Sequence, residues 1–177
     1  MASRWTRPLE HTEVVQIGAV QLDAHSLKLT DEFEMLVRPR VNPVLSDYLI
    51  QLTGITNEML ASGGVDFITA YRAFLDFVGD AHIHAFGRDD LIFAYNLKLY
   101  GWTSLGVPPY ANANPWFREN GLELGGKHAC DVAELAGAAF EGRKHTALAD
   151  AKGVAAGFVV LIGKGAPNPF LGGVKSA

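Results

Sequence analysis

The segment "EVVQIGAVQLD", Glu13 to Asp23, limits the fold more than any other stretch of this 177-residue chain. It is rich in β-branched residues and almost continuously apolar, so it reads as a buried strand rather than one with a wet face. A strand of that kind needs packing layers around it. "AHSLKLT" then turns the chain, and "DEFEMLVRP" (Asp31 to Pro39) alternates polar with apolar residues until Pro39 ends it. The two strands predict an antiparallel hairpin or meander.

Helical signals follow. "PVLSDYLIQLTGIT" predicts a short helix with Ser46 as its cap and Gly54 as its stop. "NEMLASGG" reads as a loop or a single turn. From Val65 to Gly79, Phe67, Ile68, Tyr71, Phe74, Leu75 and Val78 recur at the 3.6 period of an amphipathic helix. "AHIHAF" predicts a short strand, and "RDDLIFAYNLKLYGW" a helix with acidic residues in its first turn. "TSLGVPPYANANPWFRENGLELGG" is expected to be irregular. Two further helices are predicted over "KHACDVAELAGAAF" and "HTALADAKGVAAGFVVLIG". The order β-β-α-α-β-α-loop-α-α calls for a mixed α/β sheet. It gives a polar N-terminal segment (1–12), one domain (13–163) and a flexible tail (164–177).

Composition narrows the class without choosing the function. Hydrophobic residues make up 49% of the chain and charged ones 19%, as in ordinary globular domains. One cysteine, Cys130, excludes an internal disulfide framework and fits a reducing compartment. No apolar run is long enough to span a bilayer, and the N-terminus lacks the apolar stretch of a secretory signal. The expectation is a cytoplasmic protein without membrane contact. A net charge of −4 gives no support for a long nucleic-acid footprint and does not exclude a grip on a few nucleotides at a strand end, so charge does not choose between them.

Four local features stand in a telling order: the "VVQIGAVQLD" strand with its return "FEMLVRP", then "LTGITNEML", then "HAFGRDDLIFAYNLKLYG", then "HTALADAKGVA". A histidine five residues before an aspartate is common by chance, so no one of them suffices. Together, from about Glu13 to Ile162, they resemble the DnaQ-like 3′–5′ exonucleases of the DEDDh branch. That resemblance implies a ribonuclease-H-like, three-layer α/β domain with a mixed sheet flanked by helices. It also implies hydrolysis at the 3′ ends of single-stranded RNA or DNA with Mg2+ or Mn2+ in a two-metal site. The Phe-Gly-x-x-Asp form at Phe86, Gly87 and Asp90 is similar to the branch that includes exonucleases of structured and small RNAs. On it the metal ligands are Asp90 and Asp150, Asp89 being the neighbour with which Asp90 can be confused, and His145 is the general base.

Those residue types suit the chemistry. Carboxylate oxygens hold hard divalent ions, which activate water and relieve charge on the leaving oxygen. Histidines as a class titrate near neutrality and can take the water's proton. Five residues along one helix would put His145 and Asp150 about 140° out of phase. His145 is therefore expected on the loop before the helix, with Thr146 as cap.

One departure from the family is plain. Its first motif, an Asp-x-Glu on a strand preceding "EVVQIGAV", is missing; Glu10 and Glu13 do not stand in for it, and no aspartate occurs before Asp23. That strand would lie at the centre of the sheet, between "VVQIGAV" and "HIHAF". The expectation is that Met1 is an internal methionine, so that this chain is N-terminally truncated and weakly active or inactive. With the central strand missing, a homodimer or a marginally stable monomer is expected; the alternative function is an inactive nucleic-acid-binding or adaptor module of the same fold.

Other residues carry a functional and a bland reading. His82 and His84 share a strand face and could pair on a metal, but no third ligand follows at a standard spacing. Trp102, Trp116 and Phe117 could stack bases, although core or loop-anchoring roles are commoner for such aromatics. Cys130 reads as inert helix packing.

Overall fold

The structure, a computed structural model, describes residues 12–171; all but Thr12 of the polar N-terminal segment lies outside them. Strands β1 (Gln16–Leu22) and β2 (Leu29–Leu36) pair antiparallel, with Ile17 opposite Met35 and Ala19 opposite Phe33. Asp23 closes the turn between them by accepting from the N–H and hydroxyl of Ser26, both at 2.7 Å. Helix α1 (Asp47–Thr53) starts at Ser46, whose Oγ accepts the Leu49 N–H, and stops at Gly54 in the left-handed region (φ 77°). The next residues form a full helix, α2 (Asn57–Gly63), where a loop or single turn was expected. Thr56 Oγ1 accepts the Met59 N–H and Leu60 is buried, which together hold the helix. "TGIT" is thus one helix's stop and the next one's start.

Helix α3 (Phe67–Val78), capped by Asp66, buries Phe67, Tyr71, Phe74 and Val78 in one cluster with Ile17 of β1. Strand β3 (Ile83–Ala85) leads into α4 (Asp89–Leu99) and pairs in parallel with β4 (Tyr110–Asn112). Strand β4 and helix α5 (Asn114–Glu119) lie inside the stretch expected to be irregular; elements of three and six residues are too short to leave a periodicity. Where one helix was expected around Cys130 there is a 3-10 turn (Ala129–Asp131) and a short α6 (Val132–Ala136), ended by Gly137 at φ 95°.

The last helix, α7 (Ala147–Gly163), covers β1 and packs on α6. Phe117, Val132, Val154 and Phe158 form the core on this side; the α3 cluster is the core on the other. The domain is therefore a three-layer α/β arrangement whose sheet is in two parts, β2–β1 and β3–β4. The tail expected to be flexible folds back at least as far as Phe170. Pro167 O accepts from Trp116 Nε1, Asn168 Nδ2 donates to Ala24 O, and the Phe170 ring packs on His84 and Phe158. Among the described residues no helix is long and apolar enough to cross a membrane.

Candidate active site

A cavity of about 750 Å3 separates the two parts of the sheet. The edges of β1 and β3 are its side walls. Helix α7 closes one face through Asp150, Val154 and Phe158, and α3 and α4 close the other through Phe74, Val78 and Phe93. Among the described residues, neither β1 nor β3 pairs with a strand on the edge it turns to this space.

Asp150, in the first turn of α7, faces the cavity. His145 lies on the loop before that helix, as expected, with a left-handed backbone (φ 68°) that folds the loop over the aspartate. Its N–H donates to Asp150 Oδ1 at 3.0 Å. Burial pushes the Asp150 carboxyl above the ordinary aspartate range, opposed by the His145 N–H. Three contacts anchor the loop. Lys144 Nζ bonds Asp131 Oδ1 at 3.2 Å and Glu134 Oε2 at 2.7 Å, and Arg143 donates to Gln51 O at 2.8 Å. The helix cap differs from the expected one. Thr146 Oγ1 donates to Arg143 O, while Gln16 of β1 accepts the Ala147 N–H at 2.8 Å, so a strand residue caps α7.

The paired aspartates of α4 diverge, because neighbours on a helix point about 100° apart. Asp90, expected as a metal ligand, is turned away from Asp150's cavity. Both its oxygens are held by Arg88, at 2.8 Å each, and those hydrogen bonds keep its carboxyl below the ordinary range. Asp89 lines the cavity with Asp150. Asp89 is exposed, yet the protein crowded round its carboxyl raises it above the ordinary range, as does the charge of Asp90.

The residue that sequence reasoning set aside is Cys130. It is buried, and its Sγ, a ring nitrogen of His145 and a carboxylate oxygen of Asp150 all lie within 4.8 Å of one another. Burial raises the thiol, and the charge of Asp150 adds to the shift. No spacing in the sequence signals this grouping; the Lys144 ion pairs bring the two segments together.

The remaining candidates make packing contacts in this structure. His84 sits edge-on between Phe158 and Phe170, and burial, then His82, holds its imidazole below the ordinary range. Phe117 is fully buried and Trp116 packs on Phe158; the Arg72 guanidinium lies 4.9 Å over the Trp102 ring. Glu13 accepts the N–H groups of Arg40, Val41 and Asn42 and the Tyr100 hydroxyl, so it fastens the entry to β1.

A family model described as "Exonuclease" (RNase_T) matches residues 6–158. The human (Homo sapiens) 3′-5′ exoribonuclease 1 is 42% identical over 48 residues, and its rat (Rattus norvegicus) counterpart 44% over 48. The match covers 27% of this chain and 14% of the length of either relative. Among solved structures, a 3′-exonuclease described in 3′-end-specific recognition of a histone mRNA stem-loop superposes with a TM-score of 0.74 at 22% identity. It covers 87% of this chain and 73% of that one. The nuclease domain of 3′hExo, a DEDDh family member bound to rAMP, gives 0.70 at 25% identity over 87% and 82%. Cell-death related nuclease 4 gives 0.71 at 24% over 87% and 58%.

Proposed function

Because the chain belongs to the RNase_T exonuclease family, whose model spans most of it, we propose that it hydrolyses phosphodiester bonds from the 3′ end of single-stranded nucleic acid, with RNA slightly favoured over DNA. The observation that carries this reading is the joint presentation of His145 and Asp150, held together by the 3.0 Å backbone contact, where Asp150 opens onto the cavity between the half-sheets. The choice of RNA rests on the relatives, which are named as exoribonucleases or were seen with an mRNA stem-loop or rAMP.

In this reading His145 takes the proton of the attacking water, and the Lys144 and Arg143 contacts hold its loop in place for that task. Asp150 and one carboxylate of the Asp89–Asp90 pair supply hard oxygen donors. The motif spacing favours Asp90, and the cavity wall favours Asp89. They suit one Mg2+ or Mn2+ ion and are too few for a two-ion centre. Such an ion, when bound, neutralises phosphate charge.

The cavity has sheet edges on both sides and helices on both faces, which is the seat of a strand. Backbone donors and acceptors on both walls would be satisfied by one. We infer that a strand bearing Asp-x-Glu, encoded upstream of Met1, occupies it and completes the donor set, and that without it the chain is weakly active or inactive. A reducing, cytoplasmic setting, consistent with the single free thiol, belongs to the same reading.

The test is degradation of 5′-labelled single-stranded RNA and DNA in Mn2+. This chain is run beside one extended upstream to include the Asp-x-Glu strand, with His145→Ala in each. The extended chain is expected to trim from the 3′ end, RNA faster, and His145→Ala to slow it about 10²–10⁴-fold. An extended chain that binds ends without trimming them would replace this reading with an inactive nucleic-acid-binding module. If this chain instead trims on its own as a dimer in light scattering, a second copy closes the sheet and the upstream strand is dispensable.

A further inference from the structure

We propose that Cys130, His145 and Asp150 form a binding site for a thiophilic divalent ion of the Zn2+ type, and that its occupation withdraws His145 and Asp150 from hydrolysis. The site is preformed by contacts that have nothing to do with a metal. Cys130 stands in the 3-10 turn whose Asp131 accepts the His128 N–H at 3.0 Å. Lys144 ties that same Asp131 to the loop carrying His145, and His145 in turn holds Asp150 through its N–H. The turn that carries Cys130 and the loop and first turn of α7 that carry His145 and Asp150 are thus fastened so that their ligand atoms converge within 4.8 Å. Bond lengths of about 2.0–2.3 Å place the ligands of a tetrahedral ion roughly 3.5 Å apart, so closure needs movement of about an ångström.

The donor set selects the ion. A thiolate, an imidazole and a carboxylate favour Zn2+ or Co2+ over Mg2+, which takes oxygen donors. The two anionic ligands balance a dication, so the occupied site is neutral. A ring nitrogen of the neighbouring His128 already accepts the Asp131 N–H, which leaves the fourth position to water. The ligand Asp150 lines the cavity together with Ala129 and Ala147, which stand beside the other two ligands in the chain, and this gives the ion its route in. Metal binding stands on this geometry alone; the inhibitory consequence rests on the reading of His145 and Asp150 as hydrolytic residues.

The experiment titrates the full, reduced chain with Co2+ and follows the near-ultraviolet thiolate-to-cobalt charge-transfer band. Saturation at one ion per chain is expected, with displacement by Zn2+ and none by millimolar Mg2+. Cys130 is the chain's one cysteine, so Cys130→Ser is expected to remove the band. His145→Ala and Asp150→Asn are each expected to weaken Co2+ by about tenfold or more. Cys130→Ser could fail to fold, since the side chain is buried; His145→Ala, on a half-buried loop, keeps the test decisive, with circular dichroism as the fold check. A folded wild-type chain without the band, or a band whose affinity is indifferent to both His145→Ala and Asp150→Asn, overturns the site. Zn2+ inhibition of trimming is read in the upstream-extended chain, so a band without any cleavage refutes the hydrolytic role and not the metal site.

Discussion

The guanidinium of Arg143 lies against the open face of Gly54. A Cβ on that glycine would fall 2.7 Å from Cζ and 2.8 Å from Nε. This contact joins the "TGIT" corner to the loop that presents His145, and Arg143 adds a hydrogen bond to Gln51 O. Gly54 also holds φ at 77°, where an L side chain costs about 1–2 kcal/mol. Gly54→Ala is therefore expected to lower the unfolding free energy measured in urea by at least that backbone cost, and by more while Arg143 is present. In an Arg143→Ala background the loss should shrink by about 0.5 kcal/mol or more. Strict additivity of the two substitutions would mean that Arg143 does not use the glycine's open face.

Asp89 and Asp90 make a sharper comparison. With Asp89 on the cavity wall and Asp90 clasped by Arg88, Asp89→Asn is expected to weaken Mn2+ binding about tenfold or more, as loss of a direct ligand should. Asp90→Asn is expected to change it by less than about threefold, since Asp90 offers no free oxygen. Mn2+ titration followed by electron paramagnetic resonance reads both. The reverse order would return the ligand role to Asp90, the position that motif spacing favours, and would require the Arg88 pair to open when the ion binds.

That ambiguity shows which parts of the molecule could be read from its sequence. Strands β1 and β2 and helices α1, α3, α4 and α7 were legible because each carries a period or a cap signal over enough residues to exclude the alternatives. The placement of His145 ahead of α7 followed from helix geometry once the family resemblance had paired it with Asp150. What was not legible depends on tertiary contact. Cys130 meets His145 where its turn packs on α7 and Lys144 pairs with Asp131, Gln16 displaces Thr146 as the cap of α7, and Arg88 clasps one of two adjacent aspartates. The cap could not be foreseen, since its donor and acceptor are 131 residues apart.

The raised carboxyl of Asp150 gives a pH dependence of definite sign. Its folded form holds its proton to higher pH than the unfolded chain does, so its contribution is present below the ordinary aspartate range and is lost as pH rises through the folded value. Asp66, lowered by the Thr69 hydroxyl, and Asp131, lowered by the His128 N–H, run the other way, so the raw curve mixes both. Asp150→Asn isolates the effect, because asparagine resembles the protonated acid. In metal-free buffer the variant should match the parent near pH 4 and become the more stable of the two toward about pH 7. Thermal unfolding across that range measures it, and Mn2+ should narrow the gap by stabilising the ionised parent. A gap that stays constant with pH would show that Asp150 titrates alike in the folded and unfolded chain.

The first turn of α7 crosses β1 at Gly18, and here the sequence did hold a signal: a glycine within a strand pattern marks the close approach of another backbone. A Cβ at Gly18 would lie 2.2 Å from Leu148 N and 2.4 Å from Ala147 C, both main-chain atoms. At Gly157, on the same helix, an added Cβ would meet Val132 Cγ1 at 2.4 Å and Phe117 Cε1 at 3.3 Å, both buried side chains, which can yield by repacking the core. Main chain has no such freedom, so Gly18→Ala must lift the start of α7 and carry Asp150 and the His145 loop away from the cavity. Overpacking costs about 1–3 kcal/mol as a rule, and Gly18→Ala is expected at or above the top of that range, with Gly157→Ala below it. Only Gly18→Ala should also weaken Mn2+ binding at Asp150, because only it moves the ligand. Equal losses of stability with metal affinity intact in both would mean that the helix start is free to slide along β1, and that Gln16 rather than the close contact at Gly18 sets its position.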